Sequence, residues 1–96
     1  MSQIDTLESF FPETIQSMER QFTSHEFFLK LLHNHQPEYI AALASYYDPM
    51  PFRKLHYALT QCLKKLDGKS ITIQQTNYSS QDIFGIASTT TLWRKK

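Results

Sequence analysis

The side chains with which this sequence could perform catalysis or bind a metal are few: one cysteine and four histidines in 96 residues. His33 and His35 are two positions apart, on different sides of a helix, and no HExxH motif or cysteine pair completes a metal site. Cys62 falls on the apolar face of a predicted helix, where burial makes a thiol a poor nucleophile. The two glycines are too few for a glycine-rich phosphate loop. We therefore expect no enzyme and no metal or other cofactor.

The basic side chains carry more information, because they are unevenly distributed. The formal net charge is +1, yet residues 1–52 hold two cations against seven carboxylates, and residues 53–96 hold eight cations against two. The resulting charges of −5 and +6 form an asymmetry typical of proteins that bind nucleic acid or membranes. Lys64, Lys65 and the tail Arg94–Lys96 have ordinary explanations in the helix dipole and in solvation. Arg53 and Lys54 lie where a helix begins, and a cation there costs about 0.3 to 1 kcal/mol, which favours a negatively charged partner.

The helices that must position these cations follow from apolar spacing, prolines and caps. Pro12 begins the main part of a first helix, and Thr23 with Glu26 has the spacing of a capping box at the start of the second. The segment Asp48–Pro51 contains two prolines and predicts a turn. Helical spacing of apolar residues predicts four helices, over residues 6–22, 23–35, 37–47 and 52–66. In the last of them the expected buried residues are Phe52, Leu55, Leu59, Cys62, Leu63 and Leu66.

After Gly68 the pattern changes from helical to alternating. Residues 70–76 and 87–93 are rich in β-branched side chains and predict two strands, joined by a loop of about ten residues over 77–86. Trp93 is expected in the core, His56 partly buried, and Ile83, Phe84 and Ile86 folded back onto the core. The predicted fold class is α+β, mainly helical, with three to four helices followed by a two-stranded β-hairpin. Residues 1–22 would form an arm or helix appended to a domain of residues 23–96.

This order of elements resembles that of winged-helix domains, which belong to the helix-turn-helix superfamily, over about residues 23–94. In this resemblance Pro37–Tyr47 corresponds to the second helix, Asp48–Pro51 to the turn and Phe52–Leu66 to the recognition helix, with Asn77–Ile86 as the wing. The residues His33–Gln36 leave no room for the short strand that many winged helices have between their first two helices.

Three short segments are also similar to small uncharacterised bacterial proteins: the helix start Ser24–Phe27, the turn Phe84–Gly85 and the closing Trp93–Lys95. No activity is attached to that similarity.

The winged-helix resemblance implies that the polar face of the fourth helix contacts DNA. Arg53 suits guanine and Gln61 suits adenine, whereas lysines contact phosphates as point charges. An ordinary solvated face is the alternative, because every surface helix has one. The expected nucleic-acid-binding residues are Arg53, Lys54, Tyr57, Thr60, Gln61, Lys64, Lys69 and Arg94.

The sequence thus predicts a small DNA-binding protein of winged-helix type, with double-stranded DNA as partner and transcriptional regulation as its role. The alternative is a non-catalytic protein-interaction module in which the acidic half of one chain meets the basic half of another. A homodimer would then use the apolar side chains of the N-terminal helix: Phe10, Phe11, Ile15, Met18 and Phe22. The single cysteine, and a sequence with neither a signal peptide nor a long apolar run, predict a cytoplasmic protein without a membrane partner.

Overall fold

Helices and one antiparallel sheet make up the part of the chain that the computed structural model describes, residues 3–47 and 49–96. The helices are α1 (Gln3–Glu8), α2 (Phe11–Ser17), α3 (Ser24–Asn34), α4 (Gln36–Ala44) and α5 (Pro51–Lys64). The strands are β1 (Gln21–Thr23), β2 (Ile71–Gln81) and β3 (Ala87–Lys95). The predicted α+β class is confirmed.

The sheet has three strands in the order β1–β3–β2, so β3 is central. Trp93 of β3 pairs with Phe22 on one side and with Ile73 on the other. The prediction of a two-stranded hairpin was therefore incomplete, because the third strand, β1, lies just before α3. Three residues are too few to show an alternating pattern, and only their pairing with β3 defines β1 as a strand.

The starts of α2, α3, α4 and α5 depend on local sequence and were predicted correctly, whereas the start of α1 at Gln3 was not predicted. Pro12, Pro37 and Pro51 each stand in the first turn of α2, α4 and α5, where the missing amide hydrogen costs nothing. At the start of α3, the Glu26 N–H donates to Thr23 Oγ1 at 3.0 Å, and the Thr23 N–H donates to Glu26 Oε1 at 2.9 Å. This is the predicted capping box. Of the predicted turn before α5, Asp48 lies outside the described residues.

The first 23 residues differ most from the prediction, because the expected long helix is divided into α1, α2 and β1. Its apolar stripe also does not face solvent. Of the five residues expected at a homodimer surface, three are buried and two are partly buried in the core: Phe11, Ile15 and Phe22, then Phe10 and Met18. The N-terminal helices thus complete the chain's own core, and their apolar side chains do not form an open surface.

The core is centred on Trp93, which is fully buried as predicted. Its indole Nε1–H donates to Ser24 Oγ at 2.8 Å. The bond connects the central strand to the first turn of α3, and both partners are buried. The same core contains Phe27 of α3 and Leu59 of α5, so this region joins the sheet to two helices.

We predict that Ser24→Ala lowers the free energy of unfolding by about 1 to 3 kcal/mol, because the buried indole N–H loses its acceptor. Urea unfolding followed by Trp93 fluorescence measures the effect. The control is Ser79→Ala on the exposed part of β2, which should stay within about 0.5 kcal/mol of the unmodified chain. Equal stability of the two variants would show that the bond contributes nothing.

Candidate nucleic-acid interface

An open cleft of about 660 Å³ lies between α5 and the hairpin of β2 and β3. We call it the α5–hairpin cleft. Five residues of α5 form one wall: Arg53, His56, Tyr57, Thr60 and Lys64. Hydroxyl and amide side chains of the hairpin form much of the other, and they include Thr76, Asn77 and the run Ser88–Thr91. The first turn of α3 closes one side with Ser24 and His25.

The hairpin that forms one wall of this cleft is irregular. The pairing of β2 with β3 changes register between Ile73 and Gln75 and again between Gln75 and Tyr78, and Asn77 has a φ of +55°. Such irregularities bend a strand and increase its twist. Beyond them the pairing continues to Gln81, so the loop predicted over residues 77–86 is shorter than expected, and its first half is strand. Polar side chains did not prevent pairing, because this part of β2 is largely exposed.

The hairpin tip rests on the beginning of α5. The rings of Phe84 and Phe52 meet edge to face with centroids 5.0 Å apart. The turn is held by Asp82 Oδ1, which accepts the backbone N–H groups of Phe84 at 2.9 Å and Ile86 at 3.0 Å. Gly85, with a φ of +79°, supplies the left-handed conformation that the turn requires. The tip is therefore an ordered element in contact with α5.

The apolar residues of the tip are divided between core and solvent. Ile83 packs against the core as predicted, whereas Ile86 is 63% exposed and Phe84 is 57% exposed. Phe52, expected on the buried face of α5, is 39% exposed because it contacts the tip instead of the core. These expectations assumed that apolar side chains avoid solvent. The tip stands at the end of a long hairpin, however, so Phe84 and Ile86 lie too far from the core to be buried in it.

Four of the eight expected binding residues lie together in the cleft. Arg53, Tyr57, Thr60 and Lys64 follow one another at intervals of four, three and four, which places them on one face of α5. Lys54 and Gln61 are also exposed on α5 but do not line the cleft.

The other two expected residues do not join this group. Arg94 of β3 lines a separate groove with Glu19, Arg20 and Gln21, and Lys69 follows the end of α5 without lining the cleft. The eight expected residues therefore do not all line one cleft, because Arg94 lies on the central strand β3, where it pairs with Gln21 of β1.

The positive charge of α5 has no partner among the described residues. The helix carries Arg53, Lys54 and Lys64 and no carboxylate. Ion pairs within residues 3–47 and 49–96 are limited to His35 with Glu13 at 2.8 Å and Lys65 with Glu8 at 3.9 Å. In the described part of the cleft the only carboxylate is Asp82, and one of its oxygens already accepts two backbone hydrogens.

Two histidines also line the cleft and were not expected at the site. His56 is held at its base, where its Nε2 lies 2.7 Å from the Tyr39 hydroxyl and its ring packs against Phe28. Burial raises the pKa of Tyr39 to about 12, so the phenol stays protonated and shares a hydrogen bond with His56 Nε2. Burial, with His25 nearby, lowers the pKa of His56, and Asp82 opposes this shift. The partial burial predicted for His56 is confirmed.

His25 contributes a different feature. Its Nδ1 is buried and has no hydrogen-bond partner among the described residues. Only the folding of α3 against the hairpin places this ring in the cleft, and no spacing in the sequence could have indicated it.

The remaining candidates for chemistry lie elsewhere. Cys62 is buried on the apolar face of α5, as predicted, and burial together with the nearby Glu8 raises the pKa of its thiol. Within residues 3–47 and 49–96, no group of three or more histidine, cysteine, aspartate or glutamate side chains could hold a metal ion. In the same residues, none of the helices is both long and apolar enough to cross a bilayer.

We predict that the free energy of unfolding decreases as the pH falls below about 6.5, the ordinary pKa of histidine. Because the pKa of His56 is lowered in the folded protein, the unfolded chain takes up this proton at a higher pH than the folded chain does. The contribution of His56 to the free energy of unfolding is therefore fully present above about pH 6.5, and it is lost as the pH falls toward the pKa of the folded state. His56→Gln should flatten this dependence in urea titrations, whereas His33→Gln, at an exposed position of α3, should not. An unchanged pH slope in His56→Gln would contradict this assignment.

Comparison with known proteins adds no relationship to this geometry. No protein-family model matches the sequence, and no curated protein or solved structure is similar enough to the chain to count as a match.

Proposed function

We propose that this chain binds nucleic acid through the exposed face of α5 and the α5–hairpin cleft. The observation that carries the proposal is the positive charge of α5, which has no ion-pair partner within residues 3–47 and 49–96 and places Arg53 and Lys64 in the same cleft as Tyr57. Arg53 and Lys54 sit at the end of the helix where the dipole disfavours them by about 0.3 to 1 kcal/mol each. A phosphate backbone would offset this cost.

The side chains around the cleft match the chemistry of that ligand. Lysine meets phosphates as a point charge, and the guanidinium of Arg53 can donate two parallel hydrogen bonds to phosphate or to a guanine edge. Neutral hydroxyls such as that of Thr60 add phosphate contacts that carry no sequence information. Duplex DNA, read by Arg53 and Gln61 as in a winged-helix regulator of transcription, is one form of this proposal.

A fluorescence-anisotropy titration with a labelled duplex and a labelled single strand tests it. Three phosphate contacts should give a slope of log affinity against log salt between about −2 and −3, measured from about 50 to 200 mM salt. Binding of neither form at about 50 mM salt would overturn the proposal.

Charge variants locate the surface. The double variant Arg53→Gln, Lys64→Gln should weaken binding and reduce the magnitude of the salt slope by about 1.4 to 1.8. The matched control Lys69→Gln, Arg94→Gln removes the same charge outside the cleft, and it should leave both quantities close to those of the unmodified chain. An equal loss in the two variants would contradict a site on α5.

A protein-interaction module is the second candidate function, because apolar side chains are exposed around the hairpin tip. Met50, Phe52, Phe84 and Ile86 expose between 39% and 63% of their surfaces, and we call these four residues the tip patch. Phenylalanine and methionine beside arginine are typical of protein interfaces. A homodimer could use this surface, since the N-terminal apolar stripe is buried.

For this second candidate, sedimentation equilibrium should show a dimer that dissociates in the double variant Phe84→Ser, Ile86→Ser. Ile40→Ser, at an exposed apolar position of α4, serves as the control and should leave the dimer intact. A monomer at every concentration of the unmodified chain would exclude the homodimer.

A further inference from the structure

We infer that the nucleic acid bound by this chain is single-stranded and lies in the α5–hairpin cleft, an inference that rests on the proposed function. It assigns the class of ligand, which charge alone leaves undecided. Three features of the cleft support it: the position of the hairpin tip, the spacing of the cations along its wall, and an exposed aromatic ring between them.

The hairpin tip obstructs the docking that a duplex would require. A helix with its side chains is about 10 to 12 Å across, and the major groove is about 12 Å wide, so a recognition helix fills the groove by itself. Here the first turn of α5 carries a second element, because Phe84 packs on Phe52. The end of α5 that would enter the groove is therefore wider than a helix, and insertion would have to displace the tip.

The cleft itself has the form that a single strand needs. Arg53 and Lys64 stand on the same wall, about 16 Å apart along the helix axis at 1.5 Å per residue. A strand of a few nucleotides lying along α5 could therefore place phosphates at both ends of the wall. The opposite wall offers hydroxyls and an amide, from Thr76, Asn77 and Ser88, to base and sugar groups.

Between the two cations lies an aromatic ring free to stack. Tyr57 is 67% exposed, and among the described residues its ring contacts no other aromatic ring. Base stacking on such a ring is a main source of affinity for single strands and tolerates any sequence. In a duplex the bases are already stacked on one another and their faces are unavailable, so this ring favours an unpaired strand.

Direct competition between the two forms tests the inference. The probes are an oligothymidylate and the duplex of the same strand with its complement, titrated under identical salt. We expect the single strand to bind at least tenfold more tightly. The slope of log affinity against log salt should also be shallower for the single strand, about −0.7 per phosphate contact compared with about −0.9 for the duplex.

Variants of Tyr57 test the stacking step. Tyr57→Leu should weaken binding of the single strand by about fivefold or more, whereas Tyr57→Phe keeps the ring and should retain the affinity. Tyr47→Leu, at an exposed tyrosine that does not line the cleft, is the matched control.

The outcomes separate the two proposals. Equal or tighter binding of the duplex, or equal effects of Tyr57→Leu and Tyr47→Leu, overturns the single-strand inference and leaves nucleic-acid binding intact. Failure of both probes to bind overturns both.

Discussion

The fold depends on the burial of Trp93 in the central strand. Its backbone pairs with Phe22 and Ile73, and its indole donates to Ser24 at the start of α3. One residue thus connects both neighbouring strands to the helical layer. Because the side chain is fully buried, its one polar group must be satisfied inside the protein, and the bond to Ser24 fixes where α3 begins relative to the sheet. The first turn of α3 then forms one side of the cleft.

The hairpin of β2 and β3 extends from the pairing of Ile73 with Trp93 to a tip that contacts α5. The pairing of β2 has two register shifts, which bend a strand, and the contact of Phe84 with Phe52 holds the tip on α5. The cleft therefore depends both on the irregular pairing of β2 and on the contact of the tip with α5. The same bend leaves apolar side chains of the tip in solvent, at a place where either a base or a partner protein could cover them.

The basic side chains are divided between different parts of the surface. Among the residues that the structure describes, the cations of α5 have no carboxylate partner, while Arg94 lines a separate groove with Glu19. The excess positive charge of residues 53–96 is thus not one patch. What makes α5 distinctive is that two of its three basic residues, Arg53 and Lys64, share a cleft with an exposed tyrosine and with neutral hydrogen-bonding groups.

Local rules determined the parts of this protein that depend on neighbours in the sequence. Prolines and a capping box set the helix starts, Gly68 marks the change of pattern, and helical spacing places Arg53, Tyr57, Thr60 and Lys64 on one face. Tertiary structure decided the rest: β1 as a strand, the N-terminal stripe as core, the tip on α5, and the separation of Arg94 from the site. Each of these depends on contacts between residues far apart in the chain, whose energies no local spacing contains.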